Sequence, residues 1–328
     1  MFEESGNECQ TCLVTGAAGF IGSHLVDRLV ACRWRVIGID NLRLGRRANL
    51  AGVYRGGACT LIEADATDWE ANLRHVRDLC GSHTPDVVWH LAANSDIRAG
   101  TDDAEVDLRH TFLTTYGTLK LMRALGARQL LFASSSAIYG PHDEMLTEDA
   151  GPLRPISNYG AMKLASEALI TAALETALER AWVFRFPNVV GSRATHGVIY
   201  DFLNKLRTHP AELEVLGDGQ QEKPYLHVSE LVDAMLLAFE HAPNHFNCFN
   251  IGPAGKATRV SRIAQAVVAK AAPQARIRYT GGAQGWPGDV PCFNYSIARI
   301  QRIGWSPKLT SDQAVDRAIT ELVAEWRP

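Results

Sequence analysis

The chain predicts an α/β fold: a doubly wound parallel sheet followed by a smaller C-terminal α/β lobe. Three observations predict it. Short apolar strands alternate with amphipathic helices through the first 188 residues. A glycine-rich turn stands between the first strand and the first helix, and an acid closes the second strand. After Asn188 the pattern changes, with turns at Pro210, Gly217-Asp218-Gly219, Gly252-Pro253 and Gly281-Gly282 breaking the chain more often.

The elements follow in order. Thr11 to Thr15 reads as a buried strand and Ile21 to Val30 as an amphipathic helix. Strands are expected at Arg35 to Asp40, Cys59 to Ala64, Val87 to Leu91, Gln129 to Ser134 and Trp182 to Phe186. One long helix is expected from Asp102 to Leu125 and another from Ser157 to Glu179. Residues 1–188 are expected to form the nucleotide-binding domain and 189–328 mainly a substrate lobe, with more than one crossing between them. Helices are expected in that lobe at Val198 to Thr208, Ser229 to Ala242, Arg259 to Ala271 and Ser311 to Ala324.

Composition narrows the function classes. The 328 residues are 46% hydrophobic and 21% charged, ordinary for a soluble globular protein, and the net charge is -3. No basic footprint for nucleic acid is visible. No apolar run approaches the ~20 residues that span a bilayer, and the N-terminus lacks a secretory layout. The expected location is the cytoplasm. The seven cysteines are scattered, and reduced thiols are the default. Cys9-x-x-Cys12 with Cys80-x-x-His83 imitates a zinc site, but Cys12 opens a strand and Cys80 closes a helix, so no metal is expected.

The turn is Gly16-Ala17-Ala18-Gly19-Phe20-Ile21-Gly22. Gly16 permits a tight turn, Gly19 lets a pyrophosphate approach the helix N-terminus, and Gly22 permits close packing of helix on sheet. Phe20 and Ile21 open the helix. Asp40 is placed for a ribose 2′-hydroxyl and would repel a 2′-phosphate. The expected cofactor is NAD. Arg43, Arg46 and Arg47 could form a solvated loop, grip the adenosine end or accommodate NADP instead.

Tyr159 and Lys163 stand four residues apart on a helix, hence on one face. A cation beside a phenol lowers its pKa, and a serine from Ser134-Ser135-Ser136 can relay the proton. This is a device for oxidising an alcohol while its hydride leaves.

With these motifs in view, the chain resembles the extended short-chain dehydrogenase/reductase family, in particular its nucleotide-sugar epimerases and dehydratases. The likeness covers nearly the whole chain. It rests on the glycine turn, Asp40-Asn41-Leu42, Ala64-Asp65, His90-Leu91-Ala92-Ala93, Ser134 to Gly140, Tyr159 to Lys163 and Arg185 to Asn188. It continues in Tyr225 to Val228, Gly288-Asp289 and Gly304-Trp305. The resemblance implies that Asp65 binds the adenine amino group with Ala66 beside it, and that Asn41 lies at the same cofactor end. It also implies that Leu91, Ala92 and Ala93 line the cofactor's middle. Lys163 would bind the nicotinamide ribose as well, and Phe186 would pack by the nicotinamide. Ser135 is the family serine, and Ser136 is a candidate partner for the sugar. Asn188 and Asp289 fall at substrate positions. Arg193 and His196 lie where such enzymes wrap their substrate, and His227 matches a mostly structural position. A homodimer through the two long helices is also implied.

The departures decide the reaction. The family's dehydratases carry Thr-Asp-Glu where this chain has Ser135-Ser136-Ala137. Ala137 transfers no proton, so elimination is unsupported and reversible oxidation at one carbinol remains. The simplest such activity is 4-epimerisation of a nucleotide-diphosphate sugar. A 4-dehydrogenase or 4-reductase would use the same residues. A non-catalytic NAD-binding regulator would have no reason to keep Ser135, Tyr159 and Lys163 together. Trp286 and Lys223 replace arginines common in enzymes of UDP-sugars, and Thr114 replaces a usual asparagine. With Arg193, Lys223 and Arg278 as candidate phosphate partners, UDP becomes doubtful and ADP, GDP, CDP and dTDP stay open.

Overall fold

The computed structural model describes residues 10–54, 56–141, 145–282 and 296–326. It divides into two compact units. The first draws on Met1–Ser134, Ala161–Phe184 and Phe239–Cys248, the second on Ser135–Gly160, Arg185–Ala238 and Phe249–Pro328.

The first unit opens with β1 (Thr11–Thr15), α1 (Phe20–Ala31), β2 (Arg35–Asp40), the single turn α2 (Ala51–Tyr54) and β3 (Cys59–Glu63). It continues through α3 (Trp69–Cys80), β4 (Val87–His90), α4 (Ile97–Asp102), α5 (Ala104–Asp107), α6 (Leu113–Leu125) and β5 (Gln129–Ala133). After α7 (Asn158–Leu174) comes β6 (Arg180–Arg185). With an edge strand from late in the chain, these strands form a seven-stranded sheet in the order β11-β6-β5-β4-β1-β2-β3. The pairs from β6 to β3 are all parallel. The order reverses between β1 and β4, so the loops leaving these strands diverge and open a crevice at their C-terminal ends.

Period-two burial explains why both faces are dry. Leu13, Ile37, Val88, Leu130 and Val183 join a core with Leu121, Met122 and Ile170 from the covering helices. On the opposite face Phe239 meets Trp34, Trp89 and Trp182 edge-on at 6.0, 5.6 and 5.3 Å. Each such side chain contributes about 1.5–3 kcal/mol through burial.

The second unit contains β7 (Asn188–Val190), α8 (Val198–Thr208), β8 (Glu212–Val215), β9 (Glu222–Lys223) and β10 (Tyr225–His227). The chain then runs through α9 (Val228–His241) into the edge strand β11 (Phe246–Asn250). It ends with β12 (Thr258–Arg259), α10 (Val260–Ala271), β13 (Arg276–Tyr279), α11 (Ala298–Arg302) and α12 (Ser311–Trp326). Among the described residues, three strand pairs brace this unit: β10 with β7 and β13 with β8 in parallel, β12 with β9 antiparallel.

Two expected helices are corrected. The one expected from Asp102 to Leu125 is broken. Asp103 is extended (φ -141°, ψ 108°), and its carboxylate accepts from the Glu105 amide, capping a fresh start. A π turn, Leu108–Phe112, then precedes α6. The helix expected to reach Glu179 stops at Leu174, where the amides of Ala177 and Leu178 both turn back to the Ala173 carbonyl. Strand β11 was not expected.

Candidate active site

The glycine turn is shaped by backbone contact. Gly16 has φ +71°, and a Cβ there would lie 2.9 Å from the Ala92 amide nitrogen. A Cβ on Gly22 would lie 1.9 Å from the Gly16 carbonyl oxygen, so neither position accepts a side chain. Gly19 is the N-cap of α1 and has no side-chain cap, so a bound anion can take the first-turn amides.

Asp40 closes β2 and is 7% exposed. Its Oδ2 accepts from the Ala18 amide (2.9 Å) and its Oδ1 from the Leu42 amide (2.8 Å). Burial pushes its carboxyl up, against the pull of these amides. The carboxylate sits against the glycine turn with lone pairs to spare. Asp65 follows β3. Its Oδ1 accepts from the Thr67 amide (2.9 Å) and hydroxyl (2.8 Å), and its Oδ2 from Asn41 Nδ2 (3.1 Å). Burial raises its pKa, but these donors outweigh it and hold the carboxyl below its ordinary value. Ala66 is buried beside it. Leu91, Ala92 and Ala93 leave the end of β4, with the Leu91 amide on the Thr15 carbonyl. Phe20 is buried, and Ile21 is half-buried at the helix start. A carboxylate at the second strand, an uncapped helix start and a turn closed to side chains together fit a dinucleotide.

Ser135 caps the short turn Ser136–Ile138, its Oγ accepting from the Ala137 amide at 3.1 Å. The Ser136 amide bonds the Phe186 carbonyl (3.0 Å). Helix α7 begins against this turn, since a Cβ on Gly160 would lie 2.5 Å from the Ala137 carbonyl oxygen. Gly160 therefore allows the half-buried Tyr159 to start its helix beside the serine turn. Ser157 holds that start through its Oγ on the Gly160 amide (3.1 Å).

Lys163 lies one turn further along α7 and is 2% exposed. Its Nζ donates to the Ala133 carbonyl at 2.5 Å and lies 4.7 Å from the Phe132 ring centroid. Burial lowers its pKa to about 7, opposed by the carboxylates of Glu167 and Asp107. Reading by motif passed over both acids. Glu167 was findable, because it repeats the four-residue step from Tyr159 to Lys163. Asp107 was not, because the break at Asp103 that places it is a tertiary feature.

At the substrate end, Asn188 is exposed on β7, where it pairs with Tyr225, and Phe186 is buried two residues earlier. Arg193 is held at φ +63°, its amide on the Glu325 carboxylate (3.1 Å), and the Ser192 amide bonds Glu321 Oε2 (3.0 Å). His196 Nδ1 lies 3.4 Å from Thr195 Oγ1. Lys223 lies on β9 opposite Thr258. Arg278 engages Glu212 at 2.8 Å and also Glu214. His227 bridges Ser229 Oγ (2.8 Å) and Glu321 Oε2 (3.1 Å). Thr114 turns its hydroxyl to the Ala92 carbonyl (3.1 Å) and the Thr111 carbonyl (2.9 Å). Asp289 and Trp286 lie outside the described residues, as do Gly288, Cys9 and Cys292.

A parallel sheet with strand order 3-2-1-4-5-6, a glycine turn and an acid after β2 define a dinucleotide-binding enzyme. The model of the NAD dependent epimerase/dehydratase family matches residues 12–252, and the chain belongs to that family. It is an NAD-dependent enzyme of this class. A UDP-glucose 4-epimerase of Mycolicibacterium smegmatis is 31% identical over 231 residues, which span 69% of this chain and 72% of the relative. A crystal structure of UDP-galactose 4-epimerase superposes with a TM-score of 0.84 at 35% identity, covering 96% of this chain and 99% of that one. The UDP-glucose 4-epimerase of Thermus thermophilus, solved with NAD, has a TM-score of 0.82 at 26% identity and covers 95% and 98%. Among the described residues, no helix is long and apolar enough to cross a membrane.

Proposed function

We propose that this chain is a nucleotide-diphosphate-sugar 4-epimerase working by transient oxidation to a 4-keto sugar. The observation that carries this reading is the packing of the Ser135 turn against the start of α7, with Ala137 where an acid would serve elimination. The names of the relatives support the same reaction and make UDP-sugars the first substrates to test, although Lys223 is a point charge where a bidentate fork is usual.

Tyr159, as phenolate, takes the C4 hydroxyl proton directly or through Ser135. The Lys163 ammonium stabilises that phenolate and is also assigned to the nicotinamide ribose. When bound, NAD supplies the acceptor and then the donor of the C4 hydride. The keto sugar turns about its phosphate linkage, and Tyr159 returns the proton to the C4 oxygen on the inverted carbon. Gly16, Gly19, Phe20, Ile21 and Gly22 hold the pyrophosphate, Asp40 and Asn41 the adenosine ribose, and Asp65 and Ala66 the adenine. Leu91, Ala92, Ala93 and Phe186 line the rest. Ser136, Asn188, Arg193, His196, Lys223 and Asp289 are assigned to the sugar nucleotide.

The outer face of α6 and α7 forms an apolar depression lined by Tyr116, Leu119, Met122, Leu169 and Ala173, and we assign a homodimer contact to it. The five described cysteines form no disulfide with one another, and a cytoplasmic location belongs to this reading.

The test is a panel of UDP-, dTDP-, GDP-, ADP- and CDP-sugars incubated with the purified protein and followed by NMR. A C4-inverted product without added NAD is expected. A keto sugar accumulating only as fast as NAD is supplied would overturn the epimerase reading in favour of a dehydrogenase.

A further inference from the structure

A buried carboxylate stands one turn beyond Lys163, and the proposed reaction gives it no task. Glu167 is four residues on along α7, so it shares the face of Lys163. It is 5% exposed. The end of β5 grips both side chains: Ala133 accepts from Lys163 Nζ at 2.5 Å, and the hydroxyl of Ser134, fully buried, donates to Glu167 Oε1. Consecutive residues of one strand end thus fix consecutive turns of one helix. A charge this deep is costly unless it is paired and hydrogen-bonded.

We propose that Glu167 is a positioning residue for Lys163: its carboxylate is the counter-charge that keeps the ammonium protonated and aimed, and Ser134 fixes that carboxylate in place. The proposal rests on the role assigned to Lys163 above.

The other groups facing Lys163 do not replace it. Tyr159, one turn earlier on α7, is the group the ammonium serves. Asp107 of α5 is fully buried, its Oδ1 is taken by Asn94 Nδ2 at 2.8 Å, and burial pushes its carboxyl up. His90 of β4 lies between Thr15 Oγ1 (2.7 Å) and Thr115 Oγ1 (3.0 Å), and burial lowers its pKa to about 3, which leaves it uncharged in the working range. Of the two acids that raise the Lys163 pKa, Glu167 contributes more.

Glu167→Gln keeps the shape and an oxygen for Ser134 but removes the charge. Losing a nearby anion lowers a lysine pKa, so the alkaline limb of kcat should move about one pH unit or more toward acid. The Lys163 Nζ titration should move the same way in the substrate-free enzyme, followed by NMR of 13C,15N-lysine-labelled protein and assigned with Lys163→Arg. A merely structural glutamate would lower Tm and leave both titrations in place, and that result would overturn the proposal. Tyr159→Phe and Lys163→Met are assayed alongside. If they retain full turnover, the mechanism above fails, while the Nζ titration still decides what Glu167 does. If Glu167→Gln does not fold, Ser134→Ala leaves the carboxylate present but unfixed. A smaller acid shift is then expected, and an unmoved Nζ titration contradicts the proposal.

Discussion

Tyr159 carries chemistry that can be tested by removing one atom. Tyr159→Phe removes the proposed base and leaves the ring, so kcat should fall by about 10²–10⁴-fold with the fold intact by circular dichroism; near-normal turnover would remove Tyr159 from the mechanism. His90 gives a prediction about stability. Its folded pKa, about 3, lies below the unfolded value of 6.5 because burial disfavours the cation. The unfolded chain therefore binds the extra proton first, and stability is lost as pH falls from about 6.5 toward 3, by about 1.4 kcal/mol per pH unit. Replacing His90 with Gln should flatten the acid side of a Tm–pH curve; an unchanged slope would show that another group carries it. The pairing of Tyr159 with Lys163 was legible from spacing, because a helix converts four residues into one face; Ser135 was singled out from its serine run only through the family resemblance. The burial of His90 and Asp107 was not, because polar residues in sequence carry no sign of whether a sheet will cover them, whereas Glu167 could have been found by continuing the four-residue step.

At the scale of elements, the β1–α1 turn and the start of α7 are held by contacts too close for side chains. Gly22→Ala would push a methyl to within 1.9 Å of the Gly16 carbonyl oxygen. The α1 N-terminus must then shift, costing about 1–3 kcal/mol. NAD affinity measured by calorimetry should fall sharply; unchanged affinity would mean that the turn does not hold the cofactor. Gly160→Ala meets the Ala137 carbonyl oxygen at 2.5 Å and should depress kcat more than NAD binding, because it separates the Ser135 turn from Tyr159. Six strands of the sheet, β1 to β6, and the glycine turn were legible because buried parallel strands are short, apolar and bounded by turn residues; the edge strand β11 was not. The interrupted helix before α6 was not: Asp103 caps where helical periodicity alone would continue, and only the extended backbone there reveals the break.

At the scale of the molecule, the seven-stranded sheet brings the β1 and β4 loops to the point where strand order reverses; sequence alternation predicted a doubly wound parallel sheet but not its strand order. The small paired strands of the second unit were less legible, because two- and three-residue ladders have no period to read. The face of α6 and α7 carries its own prediction. Leu169→Glu should turn a dimer into a monomer in sedimentation velocity, and a monomeric parent protein would contradict the assignment. In the proposed reaction, hydride leaves C4 and returns to the same carbon. Incubating the enzyme with a nucleotide sugar deuterated at C4, in ordinary water, tests it directly. The C4-inverted product should keep its deuterium; exchange of the label into solvent would contradict transient oxidation at that carbon.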